Sequence, residues 1–321
     1  MKLLLEFFKR LLTETVEISF TLFRIMIPVI VVVKVLQEFG AVTFLGKILS
    51  PVMRIVGLPG SMGLVWAATI LSNIYTGIVV FVSVSANNPL TVAQTTVLGT
   101  MMLLAHSLPV ELRIAQKAGV RLRFMCLLRM GGAFILGWVL FRVYGWAGLL
   151  QEQNSPIWLP QIDDTSLETW ATGQARQLIM IFLIIMCLLL VLKMLDRIGF
   201  TAVMTKVLSP VLRLLGIGPA ACTLTIIGMT LGLGYGGGLI IKESESGRVD
   251  RRDVLFSLVL MGLCHSLIED TIVVAITGAD LSGILWARLV FALMVVFLLV
   301  KLISRLSEKT INLFLVRPQK I

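Results

Sequence analysis

Long apolar runs alternate with short polar segments along this chain. Val16–Lys34, Met125–Tyr144, Leu178–Leu195 and Ile284–Leu302 are apolar nearly throughout. Each has about the 20 residues that a helix needs to cross the hydrocarbon of a bilayer. The N-terminal stretch "MKLLLEFFKRLLTE" differs, because Glu6, Lys9 and Arg10 interrupt its apolar positions. It predicts an amphipathic helix over 1–15 that lies on a membrane surface, not a cleaved signal. Two further stretches, "AVTFLGKILSPVMRIVG" and "TAVMTKVLSPVLRLLG", are amphipathic and close on Gly, a helix stop. They predict helices lying flat at the surface, with a bend at each Ser-Pro.

The pattern occurs twice. Lys34 and Lys193, Gly40 and Gly199, Lys47 and Lys206, Gly77 and Gly236, and Arg129 and Arg288 all stand 159 residues apart. So do "LSPVMRIVG" and "LSPVLRLLG", and so do the two histidines of the chain, His106 and His265. Each histidine opens the tripeptide His-Ser-Leu. A series with one offset and charged members marks two copies of one unit. The first copy covers 16–150 and the second 175–310. Between them "QEQNSPIWLPQIDDTSLETWATGQ" (151–174) carries no Lys or Arg and reads as an exposed acidic linker. A basic tail, 311–321, follows the second copy.

Each copy holds four apolar stretches. The second in the first copy, 60–85, has Ser72, Asn73, Thr76 and Gly77 at its centre, and its counterpart "TIIGMTLGLGYGGGLII" is glycine-rich there. Glycine permits sharp reversal, so both read as re-entrant hairpins that enter and leave on one side. Each copy then crosses three times and the copies are inverted. With the N-terminus in the cytoplasm, 20 Lys and Arg fall on the inner side and 5 on the outer side, as the positive-inside tendency predicts. The fold expected is all-α and polytopic: two inverted repeats, each with about three transmembrane helices, a re-entrant hairpin and an amphipathic surface helix.

Composition agrees. Apolar residues make up 57% of the 321 and charged residues 14%, with a mean hydropathy of +0.96. A surface so poor in charge needs lipid as its solvent. The net charge of +10 sits in loops beside apolar segments, so it speaks for a membrane and not for nucleic acid. The location expected is the inner (plasma) membrane, with both termini cytoplasmic. Cys126, Cys187, Cys222 and Cys264 are scattered, form no CxxC pair and read as small buried hydrophobes.

"HSLPVE" and "HSLIED" are the candidate chemistry. His106 and His265 fall near the bilayer middle, roughly 22 Å into their segments at 1.5 Å per residue. Pro109 predicts a helix break after the first; Ile268 replaces it in the second, where the break is weaker. Ionisable groups at that depth face a cavity or the bundle interior and mark functional sites. Inverted repeats bring equivalent breaks together at the midplane. The site expected comprises His106, Ser107, Glu111, His265, Ser266, Glu269 and Asp270, with Asn73 and Tyr235 from the hairpin tips. Arg129 and Arg288 read as structural, paired with Glu111 and Asp270 or with hairpin carbonyls.

Enzymatic chemistry is not expected: adjacent His and Ser on a helix make no nucleophile–base pair, and the phosphate-loop pattern is missing. No resident cofactor is expected. Two histidines and two carboxylates suffice for a divalent or monovalent cation, although no HxxxH or HxxE spacing supports a metal. The partners expected are the bilayer and a small-molecule or ion substrate; a homo-oligomer is compatible.

The tandem units with "LSPVMRIVGLPGSMG" and "VLSPVLRLLGIGPAAC", the glycine-bearing hairpins and the polar "HSLPVE" and "HSLIED" breaks resemble the Gate, or nucleoside recognition, domain. That domain occurs in concentrative nucleoside transporters, in the membrane part of the ferrous iron permease and in the paired spore maturation proteins. The resemblance covers both units and implies inverted repeats with a transport or gating role, in a stand-alone two-repeat member. The function expected is transport or conduction of a small polar or ionic solute. The rival is a non-transporting scaffold or regulator of the spore-maturation type.

Overall fold

The computed structural model describes residues 2–39, 41–85, 88–155, 167–232, 239–244 and 249–316. Among the described residues there are helices and no strand, apart from the isolated bridges Thr91–Gln153 and Val120–Val316. Five helical stretches are long and apolar enough to cross a membrane: Glu6–Val32, Val92–Lys117, Leu122–Ala147, Glu168–Leu195 and Ser282–Ile303. The chain is an all-α, multi-pass membrane protein.

Helix α1 (Lys2–Glu38) corrects one expectation. It includes both the segment expected to lie flat and the first apolar run, with no break between them. Pro28 is the only proline inside it, and no glycine interrupts it, so nothing turns the backbone at residue 15. Leu11, Thr15, Ser19, Met26 and Ile30 form a buried stripe at helical spacing. Met26 and Ile30 pack with Ile181 and Ile185 of α8 (Leu167–Arg197). The opposite stripe, with Val16, Phe20, Ile27 and Val31, is exposed, as expected of a face that lipid covers.

The amphipathic helices form as expected, α2 over Ala41–Ile55 and α9 over Phe200–Leu214. Beyond them Gly57 and Gly216 take φ of +72° and +79°, a left-handed turn that glycine makes at least cost. Phe44, Ile48, Val52 and Ile55 lie exposed along α2, and Val203, Val207, Val211 and Leu214 along α9. The two stripes occupy equivalent positions in the two copies.

In the first copy α3 (Met62–Leu71) and α4 (Ile74–Ser85) are separated by Ser72 and Asn73 and pack against each other. Asn73 caps α4: its Oδ1 accepts from the Thr76 amide at 2.9 Å. Their counterparts are α10 (Pro219–Leu231) and a short helical stretch, 239–244. Tyr235 lies between these, outside the described residues.

The third segments are broken helices: α5 (Val92–Leu104) and α6 (Leu108–Lys117) in the first copy, α11 (Arg251–Leu263) and α12 (Glu269–Ala275) in the second. Both break at the same place. Ser107 and Ser266 take left-handed backbone at φ +48° and +45°. Pro109 is therefore not the cause of the break. It sits in the first turn of α6, where a proline is tolerated, and the second copy breaks as fully without it.

The fourth segments are α7 (Leu122–Ala147) and a π-helical turn, Ser282–Ala287, that runs into α13 (Arg288–Ile303). They exchange partners. Helix α7 packs on α5 and on α11 of the other copy, and the π-turn packs on α5 while α13 packs on α11.

Two peripheral segments differ from expectation. The start of the linker is exposed as expected, yet it is hydrogen-bonded to the bundle: Asn154 donates its amide to Leu90 O at 2.8 Å and its Nδ2 to Thr95 Oγ1 at 3.0 Å and Thr277 O at 2.8 Å. The linker also ends early, because α8 begins at Leu167. The expected tail is partly structured. Helix α14 (Glu308–Phe314) abuts the α6–α7 connection, where Arg121 Nε donates to Asn312 O at 2.9 Å.

Gly77 in α4 lies against Thr69 of α3 and Met102 of α5, and a Cβ there overlaps the buried Thr69 hydroxyl. Gly77→Leu is therefore expected to destabilise the protein by about 1–3 kcal/mol through overpacking. Thermal unfolding in detergent measures this, and an unchanged melting temperature contradicts the packing.

Candidate functional site

Ending a helix inside an apolar bundle strands its last four carbonyls. Helix α5 satisfies all four. Met101 O accepts from the Ala105 amide at 3.1 Å and from Trp66 Nε1 at 3.2 Å. Met102 O and Leu103 O each lie 3.2 Å from His106 Nδ1, and Leu104 O accepts from Arg129 Nε at 2.9 Å. Helix α11 ends in the same manner. Leu260 O accepts from the Cys264 amide at 2.8 Å, Met261 O lies 2.6 Å from His265 Nδ1, and Leu263 O accepts from Arg288 Nε at 3.1 Å. The repeated His and Arg are thus caps for a repeated helix break. The two guanidinium cations also suit the negative ends of their helices.

A carbonyl oxygen only accepts, so Nδ1 carries the hydrogen in both imidazoles. That turns both Nε2 atoms inward, where they meet at 2.9 Å with ring centroids 4.8 Å apart. Glu111 Oε1 lies 3.2 Å from His106 Nε2 and 3.3 Å from His265 Nε2. Asp270 Oδ2 lies 3.7 Å from His106 Nε2. All four side chains are buried or nearly so, at 3% to 14% exposed. One polar cluster thus joins residues of both copies.

The copies differ in their carboxylates. Glu111 Oε2 forms an ion pair with Arg129 Nη1. Asp270, its counterpart, is shorter by one methylene. Arg288 instead gives Nη2 to His265 O at 2.5 Å, and Asp270 Oδ2 is buried with no hydrogen-bond partner. Arg129 Nη2 and Arg288 Nη1 are likewise buried without one. Of the two pairings expected for the arginines, the carboxylate holds for Arg129 alone, and hairpin carbonyls hold for neither among the described residues: both guanidiniums reach carbonyls at the helix breaks instead.

The other expected residues have other tasks. Ser107 ties the first break to the end of α3: its amide donates to Thr69 O at 3.1 Å and its hydroxyl to Ser72 O at 2.8 Å. Ser266 supplies the equivalent left-handed turn, and Leu267 N donates to Met229 O at 2.9 Å. Glu269 accepts from Tyr75 Oη at 3.2 Å. Asn73 is a helix cap and not part of the cluster. Tyr75 and Trp66 were not foreseen. Their positions in the second copy hold Gly234 and Thr225, so the repeat gave no signal for either.

Breaking a buried ion pair by removing one partner costs about 3–5 kcal/mol, because the other charge is left uncompensated. Arg129→Met is expected to fall in that range, and a second change, Glu111→Gln, to restore part of it. Arg288→Met strands carbonyls but no carboxylate and is expected to cost less, about 1–3 kcal/mol. A double-mutant cycle on detergent-solubilised protein measures both; equal losses at the two arginines contradict the asymmetry.

Residues 19–119 match the family model of the Gate domain, described as nucleoside recognition. The chain is 25% identical over 285 residues, 87% of its own length and 89% of the relative's, to the uncharacterized membrane protein YvoD of Bacillus subtilis (strain 168). No solved structure matches. The first broken helix and its histidine fall inside the segment, 19–119, that matches the Gate, or nucleoside recognition, model.

Proposed function

We propose that this protein is a transporter or channel for a small polar or ionic solute, bound at the histidine–carboxylate cluster between two inverted repeats near the bilayer midplane. One observation carries the reading: His106 and His265, one from each copy, meet at 2.9 Å among buried carboxylates. Buried ionisable groups at membrane depth are costly and mark solute pathways. Broken helices facing each other across a pseudo-twofold axis are the usual frame of such a site.

In this reading the chain crosses six times. Helices α3 and α4, of 10 and 12 residues, form one re-entrant hairpin, and α10 with 239–244 belongs to the other. At 1.5 Å per residue neither α3 nor α4 spans the roughly 30 Å of hydrocarbon. The termini face the cytoplasm from the inner membrane, which places 20 basic residues inside against 5 outside. The protein performs no covalent chemistry.

A second reading has its own support. The same His and Arg side chains satisfy the helix-end carbonyls, which a non-transporting scaffold also needs. Flux through proteoliposomes separates the two. Wild-type protein is expected to move at least one member of a panel of monovalent and divalent cations, small organic anions and nucleosides. Glu111→Gln and His106→Ala/His265→Ala are expected to abolish that flux while the protein still purifies as a folded species. Absence of flux for the whole panel, with variants that only melt earlier, establishes the scaffold instead.

A further inference from the structure

The contact between the two imidazoles leaves one thing unsatisfied. Both Nδ1 atoms donate to backbone carbonyls, at 2.6 Å in His265 and 3.2 Å in His106. Neutral rings held so present two bare nitrogen lone pairs to each other at 2.9 Å. Two acceptors at that distance repel unless a positive species lies between them. Asp270 Oδ2 adds a third acceptor that is buried and has no hydrogen-bond partner. A buried polar atom in that state carries a desolvation cost that no hydrogen bond offsets.

We propose that His106 Nε2, His265 Nε2 and Asp270 Oδ2 bind one divalent transition-metal ion of the zinc class. The three donor atoms lie within 4.8 Å of one another. In a tetrahedral zinc site, bonds of about 2.0–2.2 Å put neighbouring donors roughly 3.3–3.5 Å apart. The separations here run from 2.9 Å between the nitrogens, through 3.7 Å from Asp270 to His106, to the 4.8 Å that bounds the group. Seating the ion parts the two nitrogens slightly and draws the Asp270 carboxylate about 1 Å toward His265. Glu111 Oε1, 3.2 and 3.3 Å from the two nitrogens, is close enough to them to serve as a further donor.

The surroundings match the chemistry. A metal-binding histidine characteristically donates its second ring nitrogen to a carbonyl or carboxylate, which fixes the tautomer and aims the other nitrogen. Both imidazoles do so here. Imidazole with carboxylate selects zinc, cobalt, nickel or ferrous ions over magnesium and calcium, which take oxygen shells. The HxxxH and HxxE spacings are missing because the ligands come from two breaks 159 residues apart and not from one helix face. The binding claim goes beyond the transport reading and does not depend on it. An ion held by both breaks clamps the two copies together whether or not it moves.

The test uses full-length protein in detergent, stripped with chelator and reloaded with Zn²⁺ or Co²⁺. Elemental analysis counts the bound metal, and the Co²⁺ form is read by its visible absorption. One equivalent per chain is expected, with the intense visible bands of a tetrahedral nitrogen–oxygen site and a raised melting temperature. Asp270→Asn, nearly isosteric, and His106→Ala/His265→Ala are each expected to lose that equivalent. Folding of the Asp270→Asn protein is checked by its elution and melting profile. Substoichiometric metal in the wild type, with the two imidazoles sharing a proton instead, overturns the proposal. So does metal retained at one equivalent in both variants. A metal-loaded protein without flux leaves the binding site standing and removes only the transport reading.

Discussion

A helix that ends in hydrocarbon must find hydrogen bonds for carbonyls that water cannot reach. The rest of this structure follows from that requirement, imposed twice. Ala105–Ser107 and Cys264–Ser266 interrupt two apolar helices deep in the bundle. Each break recruits an imidazole from its own turn and a guanidinium from the next helix but one. The arginines are fully buried because the carbonyls they serve are. The histidines are oriented because only Nδ1 can reach back to the turn before. Their remaining nitrogens then have one direction to face, toward the other copy. A capping problem solved locally thus builds a polar centre between the copies.

Duplication makes the centre nearly symmetric, and a single methylene makes it asymmetric. Glu111 reaches Arg129 with one oxygen and the imidazoles with the other. Asp270 stays with the imidazoles, and Arg288 is left to carbonyls. One carboxylate is therefore shared between a fixed cation and the cluster, while the other belongs to the cluster alone. The exchange of fourth segments, α7 onto α11 and the π-turn onto α5, frames this centre from both sides.

Much of this was legible in the residues. The single offset paired His106 with His265 and Arg129 with Arg288, and these pairs do stand at equivalent helix breaks. Apolar run length identified most of the long helices, and Gly57 and Gly216 ended the amphipathic ones as their pattern implies. The breaks were legible as places but not as causes. Pro109 drew attention to the first, whereas left-handed serines make both, and backbone handedness at a serine has no sequence signature. The hydrogen bond from Tyr75 to Glu269 and that from Trp66 to Met101 join segments far apart in the chain, so no spacing rule reports them. The long α1 was misread at residue 15 because a change of polarity looks like a boundary, but only a backbone breaker makes one.

Asn154 gives the arrangement a mechanical consequence. Its one amide group holds the threonine of α5 and the carbonyl of Thr277, which belong to different copies. Gly278, at φ +89°, leaves room for it where any side chain would collide. Any displacement of one copy against the other would have to strain or release this corner. The imidazole pair, farther along α5, ties the two copies a second time.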